Sequence, residues 1–261
     1  MELILNNVEV NIAAEKIING VNMHIKNNEF VALLGPNGSG KSTLLKTIYR
    51  VLRPASGTIF LNDLDIQKMS NRAIAQKMSV VSQFQTNSFD FTVKEAVLIG
   101  RNPHLKMLER EKQSDHHIVE DALRKTGLEQ YQDRWVSNLS GGERQRVALA
   151  RAITQNPSIM ILDEPSNHLD IKYQIEILHI IKQLNLTVLA ALHDIPLAAQ
   201  FCDYIYFIKD GVVVYEGRPK EVITKEVIKE VYEIDCEVFE EPNTKKICVS
   251  YYTPNQLGET R

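Results

Sequence analysis

The sequence predicts an α/β fold: a mostly parallel β-sheet flanked by helices, with an antiparallel β subdomain beside it and an α-helical subdomain inserted into it. Three observations carry this expectation. Short β-branched apolar runs alternate with amphipathic stretches, as they do where a chain passes from strand to helix to parallel strand. A glycine-rich turn at residues 35–40 separates a buried-type apolar run from a helical one. Between about residues 86 and 156 strand signals are absent while helical periodicity persists.

In chain order, residues 30–34 read as a buried strand, 41–50 as a helix and 78–82 as a second strand. Residues 93–100, 114–126 and 142–155 read as helices of the inserted subdomain. A strand at 159–162 precedes a helix at 171–184, in which Ile171, Ile175, Leu178 and Ile181 share one face. A further strand at 187–192 ends at His193 and Asp194. Within residues 203–215, two apolar runs joined by Asp210-Gly211 read as a hairpin, because that dipeptide suits the positive φ angles of a tight turn. Helical signal returns at 225–232 and strand signal at 236–239 and 247–251. The expected organisation is one domain, with a core from 1–85 and 156–235, a helical subdomain at 86–155 and a short C-terminal extension at 236–261.

With 261 residues, 44% of them hydrophobic, the chain can bury a full core. Thirty basic and thirty-three acidic side chains give a net charge of -3, which offers no general attraction to nucleic acid. Cys202, Cys236 and Cys248 are odd in number and form no CxxC pair, so neither a disulfide framework nor a zinc site is expected. The opening MELILNNVEV has no basic region followed by an apolar stretch, and no window reaches the ~20 apolar residues of a membrane span. A soluble chain in a reducing cytosol is the expectation.

Gly35-Pro36-Asn37-Gly38-Ser39-Gly40-Lys41-Ser42-Thr43 follows a predicted strand and opens a predicted helix, the context that a P-loop requires. Its glycines let backbone N–H groups turn inward around the β and γ phosphates of a nucleotide, and the helix N-terminus adds favourable electrostatics. Lys41 supplies a point charge to those phosphates, and Ser42 offers its hydroxyl to Mg²⁺. Ile159-Met160-Ile161-Leu162-Asp163-Glu164 then sets two acids at the end of a buried strand, the edge at which such sheets present ligand sites. Asp163 suits Mg²⁺, and Glu164 is the candidate general base for the water that attacks the γ-phosphate.

Leu139-Ser140-Gly141-Gly142-Glu143 stands at the start of a predicted helix, where a serine N-cap alone would explain it. In company with the P-loop and the acid pair, it makes the chain resemble the ATP-binding subunits of ABC transporters, whose signature is LSGGE. The resemblance runs from Leu3 to about Val249. It implies a RecA-like P-loop NTPase core, ATP and Mg²⁺ as ligands, and ATP hydrolysis coupled to translocation. It implies a head-to-tail dimer in which Ser140, Gly141, Gly142 and Glu143 of one subunit close over ATP held by the P-loop of the other. By the same resemblance Gln83 is the Q-loop glutamine that reaches Mg²⁺, His193 the switch histidine at the γ-phosphate, and Asp170 the D-loop aspartate at the dimer seam. Taken alone, Gln83 reads as a surface glutamine and His193 as a capping histidine. One position departs from the pattern: residues 10–16 hold no aromatic ring to stack on adenine, and Ile12 takes its place.

Thr92-Val93-Lys94-Glu95-Ala96, Gly100-Arg101-Asn102-Pro103-His104 and the run from Glu164 to Asp170 resemble the importer ATPases that serve iron-siderophore, haem and vitamin B12 uptake. Pro103 and His104 could instead simply close a helix. The implied partners are a second copy of the subunit, a polytopic membrane permease docking beside Gln83 and, indirectly, a substrate-binding protein, with no nucleic acid. The implied location is the cytoplasmic face of the cell membrane, as a peripheral subunit. A soluble ABC ATPase of a non-transport system, such as iron-sulfur cluster assembly, is the alternative that the residues leave open.

Overall fold

A computed structural model describes residues 1–82, 91–106, 109–165, 169–244 and 246–252. Gln83 and the Ser166-Asn167-His168 part of the D-loop lie outside the described residues. The chain opens with β1 (Leu3–Ile12), β2 (Glu15–Ile25) and β3 (Phe30–Leu34), then α1 (Lys41–Ile48), β4 (Ser56–Leu61), β5 (Leu64–Asp65), α2 (Asn71–Ala75) and β6 (Met78–Val81). Next come α3 (Val93–Leu98), a 3-10 segment at Ile99–His104, α4 (Gln113–Lys125) and α5 (Gly141–Thr154). β7 (Ile159–Asp163), α6 (Ile171–Gln183), β8 (Thr187–Ala191) and α7 (Ile195–Phe201) return to the sheet. The chain continues through β9 (Tyr204–Lys209), β10 (Val212–Gly217), α8 (Pro219–Val222), α9 (Lys225–Tyr232), β11 (Cys236–Glu240) and β12 (Ile247–Tyr251).

The main sheet has the order β10-β9-β3-β8-β7-β6 and is parallel except for β10. Leu33 of β3 and Asp163 of β7 both pair with Ala191 of β8, so the three strands that lead into the P-loop, the acid pair and His193 end side by side. This common edge is where a parallel sheet presents its ligand site.

Both faces of the sheet are covered, which is why its strands are apolar throughout rather than alternating. Phe30, Ala32 and Leu34 pack with Leu149 of α5, Leu178 of α6 and Ala198 of α7. Val31 and Leu33 pack on the other side with Leu44, Leu45 and Ile48 of α1 and with Leu3 and Leu5 of β1. Each fully buried side chain of this size stabilises by about 1.5–3 kcal/mol. On α6 the buried residues are Ile177, Leu178 and Ile181, whereas Ile171 and Ile175 are exposed. The face predicted from the sequence therefore meets the core only along the C-terminal half of that helix.

A separate antiparallel sheet, β2-β1-β4-β5, is built largely from N-terminal residues that the sequence reading does not assign to strands. Register shifts between Leu5, Val8, Val10 and Asn11 break its in-out alternation, and with it the signal by which such strands are recognised. The hairpin expected at 203–215 is present, with Asp210 at φ 49° and Gly211 at φ 76°, but it forms the edge of the main sheet. The helices α3, α4 and α5 enclose their own core of Val93, Val97, Val119, Leu123, Val147 and Ala150. Among the described residues of 91–155 no strand occurs beyond a single bridge between Thr92 and Trp135. Among the described residues no helix is long and apolar enough to cross a membrane.

Candidate active site

Leu34 ends β3 at the centre of the sheet, and Gly35 turns the chain into the P-loop. A Cβ at Gly35 would lie 2.1 Å from the carbonyl oxygen of Ile208, so glycine is needed for the close approach to β9. The loop is braced from outside by the β9–β10 turn: Gly211 N–H donates to Ser39 O (3.1 Å), and Asn19 N–H donates to Gly211 O (2.9 Å). Sequence reading identifies Gly211 only as a turn former, because nothing in a local pattern reveals a tertiary brace. The first N–H groups of α1 have no intrahelical acceptor, which leaves Lys41, Ser42 and Thr43 able to offer them to phosphate. Lys41 is 5% exposed, and its ammonium donates to Gly35 O (2.7 Å) and Pro36 O (2.9 Å). Burial lowers its pKa, against the charges of Glu164 and Asp163.

Ser42 donates its hydroxyl to Asp163 Oδ1 at 3.0 Å, so two of the three ligands predicted for Mg²⁺ meet across the gap between α1 and β7. Burial raises the pKa of Asp163; the Ser42 hydrogen bond works against that shift and the charge of Glu164 adds to it. Burial, with the Asp163 charge, also pushes the nearby Tyr49 phenol up to about 12.

Glu164 follows Asp163 with φ 54°, left-handed backbone that costs on the order of 1–3 kcal/mol in a non-glycine residue. Its N–H donates to Ala191 O (3.2 Å), and its Oε1 lies 2.6 Å from Nε2 of His193. The P-loop, Asp163, Glu164 and His193 thus converge on one edge of the sheet. Among the described residues no group of three or more His, Cys, Asp or Glu side chains could hold a metal ion.

The signature segment is built as a capping box. Ser140 N–H and Oγ donate to Glu143 Oε2 (2.8 and 2.7 Å), and Glu143 N–H returns to Ser140 Oγ (3.4 Å). Ser140 and Gly141 are exposed, while Gly142 is buried against the ring of Tyr173. Asp170 is exposed at the start of α6, and its carbonyl accepts from Tyr173 N–H (2.9 Å) and Gln174 N–H (3.1 Å). Ile12, at the end of β1, is 45% exposed.

The Gly100-Arg101-Asn102-Pro103-His104 motif proves to be the closure of α5. Gly100 lies so close that a Cβ there would come 2.2 Å from Arg151 O. Arg101 is buried, donates to Thr154 O (2.7 Å) and pairs with Asp115 at 2.8 Å. His104 Nε2 is 2.8 Å from Gln155 O. These contacts satisfy carbonyls that the end of α5 leaves unpaired. The same segment walls a groove of about 500 Å³ between the sheet core and the helical subdomain, lined by Tyr49, Arg50, Ile74, Met78, Ile99 and Arg151 among others.

The family profile described as ABC transporter matches residues 18–167. The chain is 39% identical over 240 residues to the iron(3+)-hydroxamate import ATP-binding protein FhuC of Bacillus subtilis, a match covering 90% of this chain and 89% of that one. This protein belongs to the ABC transporter family. It is also 36% identical over 230 residues to the ferric enterobactin transport ATP-binding protein FepC of Escherichia coli, covering 87% of this chain and 85% of that one. Among solved structures, the dimeric structure of a bacterial ABC transporter cassette superposes with a TM-score of 0.72 at 30% identity, over 83% of this chain and 98% of that one. As an ABC family member of this kind, the chain binds ATP and is an ATPase whose hydrolysis is coupled to transport.

Proposed function

We propose that the protein is the motor subunit of an ABC importer for an iron-siderophore, haem or vitamin B12 type of cargo, working as a head-to-tail homodimer beneath a membrane permease. The similarity along 90% of the chain to an iron(3+)-hydroxamate import ATP-binding protein carries this reading, and the dimeric cassette of like fold supports the pairing. In the dimer the exposed Ser140 and Gly141 face ATP on the partner's P-loop, with Gly142 and Glu143 supporting them. Asp170 lines the seam.

Two oxygen donors at 3.0 Å, one of them a carboxylate whose charged form burial disfavours, fit a hard divalent cation. Ser42 and Asp163 would hold Mg²⁺, with Gln83 the third candidate, and the cation would neutralise charge on the β and γ phosphates. Lys41 turns from the loop carbonyls to those phosphates. Glu164 accepts the proton of the attacking water, and His193 holds the carboxylate in place from its 2.6 Å contact.

The groove beside Arg151 offers a docking place for a helix of the permease, on the cytoplasmic face of the membrane. Loss of the γ-phosphate removes the contact shared by the two subunits, and their separation moves the groove. The test is uptake of radiolabelled ferric hydroxamate, haem and corrinoid by cells that lack the gene and carry it back on a plasmid, together with co-purification of a polytopic protein. Restored uptake of one cargo and capture of its permease supports the reading. Hydrolysis with only soluble partners would overturn the transport assignment.

A further inference from the structure

The C-terminal segment lies beyond the family profile, which ends at residue 167, yet it packs against the strand that leads into the P-loop. Val227, Ile228 and Val231 of α9 are buried in the same cluster as Leu34 and Phe207, and Phe207 of β9 is the partner of Leu34 in β3. Tyr232, the last residue of α9, sets its ring edge-on to Phe207, with centroids 6.4 Å apart and planes at 83°, a favoured aromatic arrangement. The end of the helix is tied to the hairpin that braces the loop. Lys209 Nζ donates to Glu230 O (2.8 Å) and pairs with Glu233 (3.0 Å), and the Tyr215 hydroxyl donates to the Glu230 carboxylate. A phenylalanine at 232 would serve this packing as well. The Tyr232 hydroxyl is buried, and no described residue completes a hydrogen bond of normal geometry to it. Burial pushes its pKa up, and the backbone of Gly35, the first residue of the P-loop, works against that shift.

A buried hydroxyl that finds no partner is costly, and the ring's packing does not need it. We infer that Tyr232 is a positioning residue of the nucleotide site, whose hydroxyl completes a hydrogen bond with the Gly35 backbone N–H once the loop closes on phosphate. The inference rests on the reading of residues 35–43 as the phosphate-binding loop. In the nucleotide-free loop Lys41 donates to the carbonyls of Gly35 and Pro36. Phosphate draws Lys41 away, and the segment released is the one beside Tyr232. A small displacement there is enough, because the Gly35 backbone already acts on the hydroxyl. A hydrogen bond made only in the nucleotide-bound loop adds to affinity and adds nothing to the stability of the nucleotide-free protein, since a ligand gains from whatever its bound state alone provides. Tyr232 acts on the nucleotide through Gly35, which makes the C-terminal segment a part of the site.

The test compares wild type, Tyr232→Phe and Lys41→Ala as full chains. Two quantities are read: the equilibrium affinity for a fluorescent ATP analogue, and the melting temperature without nucleotide. Tyr232→Phe is expected to weaken binding by about 2–10-fold, the worth of one hydrogen bond, while the nucleotide-free protein melts no lower than wild type. A role in folding alone would move the melt and leave the affinity. Unchanged affinity in Tyr232→Phe overturns the proposal. So does a nucleotide-free Tyr232→Phe protein that melts lower, because the hydroxyl would then already be engaged before phosphate arrives. Lys41→Ala judges the reading beneath. Binding lost in Lys41→Ala and unchanged in Tyr232→Phe sinks only the role of Tyr232; binding unchanged in Lys41→Ala sinks the P-loop assignment on which it rests.

Discussion

Oε1 of Glu164 and Nε2 of His193 stand 2.6 Å apart, at the ends of the neighbouring strands β7 and β8. Left-handed backbone at Glu164 and a register that pairs Asp163 with Ala191 bring them together. Glu164→Gln keeps the size and the backbone of this arrangement but removes the proton acceptor. Turnover is expected to fall by about 10²–10⁴-fold, the usual contribution of a general base, while ATP still binds and holds the subunits together. Steady-state hydrolysis and size-exclusion chromatography with ATP check this, and undiminished hydrolysis would remove Glu164 from the role of base.

Asp163 shows the opposite balance between stability and use. Its carboxyl titrates above the usual range because burial disfavours the charge, so a neutral isostere is tolerated by the fold. Asp163→Asn is expected to raise the Mg²⁺ concentration needed for hydrolysis by at least ~10-fold, the scale on which even indirect partners of a metal act. The unfolding temperature of the Mg²⁺-free, nucleotide-free protein is expected not to fall. A Mg²⁺ titration of activity and a thermal melt test the two halves.

The pair of Arg101 and Asp115 is nearly buried, with side chains 9% and 7% exposed. Removing one member of such a pair strands the other charge and typically costs 3–5 kcal/mol. Arg101→Ala is expected to destabilise by about that amount at pH 7. The Lys112 backbone N–H, and after it the Arg101 side chain, hold the Asp115 carboxyl below its usual range. Stability from a depressed carboxylate is complete above its unfolded value of about 3.9 and is lost as pH falls through the lower folded value. The difference between wild type and Arg101→Ala in urea melts should therefore narrow as the buffer is taken below about pH 4. A difference independent of pH would count against the ion pair as its source.

Ile12 is exposed at the end of β1 and offers no ring to stack on adenine, so a weak hold on the base is the expectation. The wild type is expected to bind ATP and GTP with comparable affinity. Ile12→Tyr should tighten ATP binding by about 1–3 kcal/mol, the value of one base stacked on a ring. Equilibrium binding of fluorescent nucleotide analogues, displaced by ATP and GTP, decides the matter; a strong ATP preference in the wild type would refute it.

The parallel core was legible because its strands are buried on both faces and read as unbroken apolar runs, and because the P-loop announces the junction of β3 and α1. Asp163, Glu164 and His193 could be located at strand ends for the same reason. An antiparallel subdomain was expected and is present, but its N-terminal strands could not be placed, since register shifts erase the alternation that would mark them. The packing of Tyr173 on Gly142 and the brace at Gly211 were equally hidden. Tyr173 lies on a helix whose exposed Ile171 and Ile175 make its amphipathic stripe misleading, and Gly211 acts through a hydrogen bond to a loop far away in sequence. Such contacts come from the way strands are ordered in the sheet, which no local pattern encodes.

The closure of α5 by Arg101 and His104 has a mechanical meaning. A helix of 14 residues is about 21 Å long, and this one carries the signature motif at its first turn and the wall of the groove at its last. Because its final carbonyls are gripped by the 3-10 segment at Ile99–His104, the helix cannot fray or unwind at the groove end to absorb a push. Such a helix is built to act as a lever arm. In the proposed transporter, displacement where a permease helix would sit would arrive at Ser140 as a rigid tilt, and closure around ATP there would be delivered back along the same rod.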